Sequence, residues 1–137
     1  MRGKRISLLL AVFLVFTLVI ATPAIATTGV KDDTNNPVVT GTETWEIEGV
    51  GAAAVMLDGS TYRMWYSGKD ADGFTAIGYA TSSDGITWAK DAGNPVLQKG
   101  AGGSWDAFGV GGLSVINDGG TYKMWYTGLD ASNVLKI

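Results

Sequence analysis

The chain has no histidine and no cysteine among its 137 residues, and only three prolines. Without an imidazole or a thiolate there can be no Ser-His-Asp triad, no Cys-His pair and no ordinary zinc site. The lack of cysteine also removes any disulfide staple and any lipid-modified cysteine. What remains for chemistry is carboxylates, hydroxyls, amides and aromatics, a set suited to handling sugars. No cofactor and no metal is expected. Asp70-Ala71-Asp72-Gly73 lacks the run of oxygen ligands and the terminal glutamate of a calcium loop, and reads as a solvated hairpin.

Long apolar runs are also scarce, with one exception at the start. Ile6 to Ile20 follows a basic head of Arg2, Lys4 and Arg5 and precedes Ala24-Ile25-Ala26, the pattern of a cleaved secretory signal. The run is shorter than the roughly 20 residues a spanning helix needs. Cleavage after Ala26 is expected, giving a secreted, extracellular or periplasmic protein with no stable membrane insertion; an uncleaved anchor is the rival reading. Three of the ten basic residues lie in that segment, which leaves seven against thirteen acidic ones, a net charge of −6. That balance argues against nucleic acid or an anionic membrane as partner, since both reward clustered Lys and Arg.

What the chain does have is a copy of itself. Gly59-Ser60-Thr61-Tyr62-Arg63-Met64-Trp65-Tyr66-Ser67-Gly68 returns sixty residues later as Gly119-Gly120-Thr121-Tyr122-Lys123-Met124-Trp125-Tyr126-Thr127-Gly128. Upstream, Trp45-Glu46 matches Trp105-Asp106, and Val55 to Gly59 matches Val115 to Gly119, in the same register. Asn36-Pro37-Val38-Val39 and Asn94-Pro95-Val96-Leu97 match at a spacing of 58, so the length change lies in the loop before the tryptophan. A long fixed period of short aromatic strands means one supersecondary unit copied, and such units bury their cores by stacking.

Each copy reads as four antiparallel strands. Val50 to Leu57 enters a hairpin at Asp58-Gly59; Thr61 to Ser67 is a second strand ended by Gly68; Phe74 to Thr81 is a third; Ile86 to Ala89 is a short, exposed fourth. Trp65 and Trp125, mid-strand in both copies, are expected in the core. With no helical period, four strands per sixty residues predict an all-β fold of β-propeller blades. The expected layout is a signal segment over 1–26, an irregular segment over 27–43, a full blade over 44–103 and a truncated blade over 104–137. Ile137 aligns with Ile77, so the second copy stops partway through its third strand. Open strand edges there predict self-association.

Tyr-x-Met-Trp-Tyr-Ser/Thr-Gly, followed by Ile77-Gly78-Tyr79-Ala80-Thr81-Ser82-Ser83-Asp84-Gly85-Ile86-Thr87-Trp88 and Asn94-Pro95-Val96-Leu97, resembles the repeats of five-bladed propeller glycoside hydrolases. This is the arabinanase, xylosidase and β-fructosidase-like superfamily, with family 43 and family 32 types. The resemblance runs from about Asn36 onward and implies an exported protein that acts on or binds plant or microbial carbohydrate. It also implies three catalytic carboxylates from different blades, carried at the start of the innermost strands in motifs of the Asp-Pro-x-Val kind. The matching stretches here, Gly51-Ala52-Ala53-Ala54-Val55 and Gly111-Gly112-Leu113-Ser114-Val115, hold neither an acid nor a proline. No residue inherits a catalytic role. Ser82 to Trp88 is one residue short of the Asp-box of sialidase propellers, and Asp84 is expected to bond backbone amides of its turn.

Candidate sugar-binding residues precede the innermost strands: Trp45, Glu46, Glu48, Trp105 and Asp106. The two tryptophans could stack on a pyranose or pack between blades. Glu46 and Asp106 could meet hydroxyls or, being repeated, bond nearby backbone. Glu48 breaks the repeat, since its counterpart is Phe108. Two other functional classes compete with the hydrolase-like reading: a non-catalytic, lectin-like propeller assembled from several short chains, and a structural or adhesion repeat.

Overall fold

In the computed structural model, residues 34–137 are described; the expected signal segment and the residues up to 33 lie outside the described residues. Seven strands follow in order: β1 (Gly49–Asp58), β2 (Thr61–Lys69), β3 (Thr75–Ser82), β4 (Ala89–Lys90), β5 (Gly109–Asp118), β6 (Thr121–Leu129) and β7 (Leu135–Lys136). One 3-10 turn over Thr44–Glu46 precedes β1. The described residues are thus all-β in character, arranged as propeller-like blades.

The sixty-residue period is visible in the hydrogen bonding. β1 and β2 pair antiparallel with Leu57 opposite Tyr62, and β5 and β6 with Asn117 opposite Tyr122. Both hairpins turn on a glycine at φ 62°, Gly59 and Gly119, which supplies the left-handed backbone that tight hairpins require. Both inner strands slip register at the same place, between Gly51 and Ala54 and between Gly111 and Ser114. An extra residue bulges there, with Ala52 at φ 35° and Gly112 at φ 52°.

β3 pairs with β2 along its full length, and β4 adds two residues beyond it. The first unit is therefore β1-β2-β3-β4 and the second β5-β6-β7, joined edge to edge by a single parallel pair, Thr75 opposite Gly109. Between the units lies one apolar cluster. Trp65 and Ile77 of the first unit meet Val110 of the second, flanked by Met56, Tyr79 and Leu97 on one side and Leu113, Val115, Met124 and Tyr126 on the other. Ile77 is fully buried; a side chain so enclosed contributes about 1.5–3 kcal/mol. A second cluster, Met64, Tyr66 and Ala80, fills the opposite face of the first unit, under Val39, Trp45, Val50 and Trp88.

Three local expectations need correction. The fourth strand occupies Ala89–Lys90 rather than Ile86 to Ala89, because the Asp84 carboxylate holds the amides of Ile86 and Thr87 at 2.8 and 2.7 Å and keeps them in the turn. Gly68 lies inside β2 rather than ending it. Trp125 is half exposed, at 50%, whereas its copy Trp65 is 8% exposed, so only one of the two is core.

Candidate functional site

The segment before each inner strand is built around a tryptophan laid over a glycine. A Cβ on Gly68 would come within 2.8 Å of the Trp45 ring and 2.7 Å of the Glu46 Cβ. On Gly128 it would meet the Trp105 ring and the Asp106 Cβ, both at 2.6 Å. The copied glycine is what lets each indole lie flat on its blade. Trp45 also crosses Gly78, and tilts against Tyr66 with ring centres 5.8 Å apart; Trp105 stacks on Tyr126 at 5.3 Å.

Beneath the first indole, Glu46 is fully buried. Its Oε1 accepts from the amides of Thr42 and Glu43, at 3.1 and 3.4 Å, and from the Lys90 ammonium in a close ion pair. Lys90 also donates to the Thr40 carbonyl at 2.6 Å and the Thr42 hydroxyl at 3.1 Å. Burial by itself pushes the Glu46 carboxyl up, but the bonds from Lys90 and the Thr42 amide outweigh it and hold the group below the usual glutamate range. Burial, then the charge of Glu46, pushes the Tyr66 hydroxyl up. Among the described residues, two buried side-chain atoms, Glu46 Oε2 and Trp45 Nε1, have no hydrogen-bond partner.

The copy in the second unit is looser. Asp106 is buried, accepts from the Ser104 hydroxyl at 2.7 Å and faces the Tyr126 hydroxyl at 3.4 Å. Trp105 is 37% exposed. Glu48 lies in solvent at the start of β1, with its amide on the Lys69 carbonyl at 3.0 Å, beside a cleft of about 220 Å³ that includes Ser67, Lys69 and Thr75. Among the five candidates it is the carboxylate open to a ligand.

Trp45 separates two further depressions. One, of about 500 Å³, is lined by Glu43, Thr44, Lys90, Asp91 and Asn94; the other, of about 180 Å³, by Phe74, Pro95, Gln98 and Lys99. In the latter the Lys99 ammonium sits 4.3 Å over the Phe74 ring. Lys90 and Asp91 were not singled out as site residues by the sequence, and Asn94 was noted there only as the repeat match of Asn36. Asn94 has a structural share as well: its side-chain oxygen accepts from the Tyr79 amide at 2.8 Å and its nitrogen donates to the Tyr79 carbonyl at 3.0 Å.

The inner strands themselves offer no acid pair. β1 and β5 carry a carboxylate only at their last residues, Asp58 and Asp118, at the hairpins. Asp58 is engaged by Arg63 at 2.9 Å, by Asn117 at 3.3 Å and by the Tyr122 hydroxyl, and these bonds, Tyr122 foremost, hold it below the usual aspartate range. Among the described residues no three of Asp, Glu, His or Cys converge as a metal site would require.

The architecture places the chain among propeller-like all-β proteins, and solved structures share it. Over 80% of the chain and 37% of the other, it matches a structure from the GH130 family of mannoside phosphorylases, described as containing glycoside hydrolases that target β-1,2 mannosidic linkages in Candida mannan, with a TM-score of 0.63 and 22% identity. A protein described as a glycoside hydrolase matches over 77% of the chain and 30% of its own, with a TM-score of 0.62 and 19% identity. An endo-1,4-β-xylanase from Bacteroides thetaiotaomicron matches over 69% and 34%, at 0.54 and 23%. At these identities the likeness is one of fold. By sequence, 78 residues are 35% identical to an uncharacterized protein of Mycobacterium tuberculosis, MT1551, covering 53% of this chain and 25% of that protein. The chain therefore spans about a quarter of that relative and about a third of the solved structures. No protein-family model matches the chain.

Proposed function

We propose that this chain is part of an exported, glycoside-hydrolase-like propeller of the five-bladed arabinanase, xylosidase and β-fructosidase type, which acts on or binds plant or microbial carbohydrate. The observation that carries the reading is the match of both repeat units, over four-fifths of the chain, to the fold of carbohydrate-active proteins. In this reading the two blades form the wall of the site. The exposed edge of Trp45 offers a face for a sugar ring, and Glu48 and Asp91 offer acceptors for its hydroxyls. Glycoside hydrolysis needs two carboxyl groups about 5–10 Å apart, and β1 and β5 bring no such pair together; the acid and base belong to other blades.

The test is affinity electrophoresis of the full chain on arabinan, xylan and mannan, run beside turnover assays on the same polymers and on aryl glycosides. Retention without turnover, weakened by Glu48→Gln or Asp91→Asn, is the expected result. No retention on any polymer overturns the carbohydrate reading, and turnover abolished by Glu48→Gln overturns the assignment of the chemistry to other blades.

A further inference from the structure

The charge differences between the two units collect at one end of the sheet, where β1 begins and β2 turns into β3. Between residues 45–77 and their copies at 105–137, four positions gain or lose a charge: Glu48 against Phe108, Lys69 against Leu129, Asp72 against Ser132 and Ala76 against Lys136. All four lie at this end, since Lys69 pairs with Gly49 and Thr75, and Ala76 with Gly68. The first unit has described residues packed on both of its faces. Its end is nevertheless open, with Glu48, Lys69, Asp72, Gln98 and Lys99 exposed, so the opening belongs to the unit itself.

Three exchanges remake one depression there, the cleft of about 180 Å³ lined by Trp45, Asp70, Phe74, Pro95, Gln98 and Lys99. The turn beneath it is the same in both units. Asp70 Oδ1 accepts from the amides of Asp72 and Phe74 at 3.0 and 2.9 Å, and Asp130 Oδ1 from those of Ser132 and Val134 at 2.9 and 3.0 Å. In the second unit the other oxygen, Asp130 Oδ2, meets the Lys136 ammonium at 2.7 Å. In the first unit Ala76 holds that position, and among the described residues Asp70 Oδ2 meets no cation. Phe74 replaces Val134 and adds a second aromatic wall beside Trp45. The loop before Trp105 is two residues longer than the one before Trp45, and it carries Lys99, whose ammonium rests 4.3 Å over the Phe74 ring.

Cations are otherwise neutralised in this acidic chain. Arg63, Lys90, Lys123 and Lys136 each pair with a carboxylate, whereas among the described residues Lys69 and Lys99 have none. Lys99 and Asp70 line the same cleft without pairing with each other, so an open ammonium and an open carboxylate oxygen stand beside two aromatic rings. We infer that this cleft binds a uronic acid residue, a pyranose bearing a carboxylate. The sugar's C–H face lies on Trp45 and Phe74, its hydroxyls donate to Asp70 Oδ2, and its carboxylate accepts from Lys99 and the Gln98 amide. A neutral sugar would leave the ammonium unpaired, and a small anion would leave the rings and Asp70 unused. The adjoining cleft with Glu48 and Lys69 shares Thr75 with this one, so the next sugar of an acidic polysaccharide has a place beside the first.

This inference rests on the carbohydrate reading and narrows it to acidic polymers, and one titration separates the two. The full chain is titrated by calorimetry with glucuronoxylan and polygalacturonate, each beside the same polymer after its carboxyls are reduced, and with dextran sulfate as a plain polyanion. One of the acidic polymers is expected to bind about tenfold tighter than its reduced form, the size of a hydrogen bond to a charged group. The preference should shrink as salt rises, because the ion pair is exposed. Lys99→Gln removes the preference, Lys99→Arg keeps it, and Lys69→Gln, which takes the same charge from outside the cleft, removes less of it. No preference for either acidic polymer, an equal affinity for dextran sulfate, or an equal loss in Lys69→Gln overturns the inference. Where a reduced, neutral polymer still binds, the carbohydrate reading stands without it; binding to no polymer overturns both.

Discussion

The two units carry nearly the same strand sequence and end in different environments. In the first, Trp65, Tyr66 and Ile77 are buried; in the second, Trp125 is half exposed, Tyr126 is half-buried and Ile137 is open. The local structure is the same in both, down to the turn glycine and the bulge. What differs is the neighbour. Among the described residues, the first unit has the second on one face and residues around Val39 on the other, while the second unit is packed on one face only. Backbone conformation in this fold is set within the unit, and burial is set between units, as expected of quasi-one-dimensional repeats.

The sharpest way to break that comparison is to truncate the paired tryptophans. Trp65→Ala empties the centre of the contact between units and is expected to cost about 3–5 kcal/mol. Trp125→Ala, assayed in dilute solution by the same urea titration, is expected to cost less than about 1 kcal/mol, in line with a partly exposed position. Equal losses would mean that the second unit buries its tryptophan, and the proposed difference between the units would fail.

Next in size is the buried ion pair found in the first unit. Lys90→Met leaves the Glu46 carboxylate enclosed without its cation and is expected to cost about 3 kcal/mol at neutral pH. The pH dependence should also change sign. In the native chain Glu46 sits below its usual range, so its contribution is present above the unfolded value and is lost as pH falls through the lowered folded value. Without Lys90, burial dominates and raises the carboxyl, so the folded form binds the proton more tightly than the unfolded one. The variant therefore gains stability on mild acidification while the parent loses it. Parallel profiles of Tm against pH for the two proteins would refute the pair.

Smaller still is the paired glycine test. Gly68→Ala drives a methyl into Trp45 and the Glu46 Cβ, and an overpacked site of this kind costs about 1–3 kcal/mol. At Gly128 the facing indole of Trp105 is 37% exposed and free to lift, so Gly128→Ala should cost less and should raise tryptophan exposure to quencher.

These pairs also mark how far the sequence could be read. Strand order, hairpins and the blade pattern were legible because a gapless copy fixes register, and an alternation of aromatics and turn glycines fixes strand ends. The Asp84 turn was legible because the serine, aspartate and glycine that build it are adjacent. Lys90 as the partner of Glu46 was not, since the two are far apart in the chain and no second example of the pair is present to reveal it. Gly68 was read as a stop, because a glycine closing an aromatic run also suits a strand end; its role under the Trp45 ring needs the third dimension. Repetition marked Trp65 and Trp125 as equivalent, which they are in backbone and not in burial.

The smallest expected effect concerns the turn after β3, which the described part of the second unit does not reach. Asp84 Oδ1 accepts from Ile86 N, Thr87 N and the Ser82 hydroxyl, and Trp88 Nε1 closes the loop on the Gly85 carbonyl at 3.1 Å. These bonds, led by the Thr87 amide, take the carboxyl from an ordinary 3.8 down to about 2. The folded value is depressed, so the contribution is complete above the unfolded value and disappears as pH falls from about 4 towards about 2. Asp84→Asn keeps the shape but accepts more weakly, and should remove that acid limb from the Trp88 fluorescence while leaving the contact between units untouched. An acid limb of unchanged size in the variant would assign it to other carboxylates, and a change in the Trp65 environment would show that the turn is not local to the outer edge of the first unit.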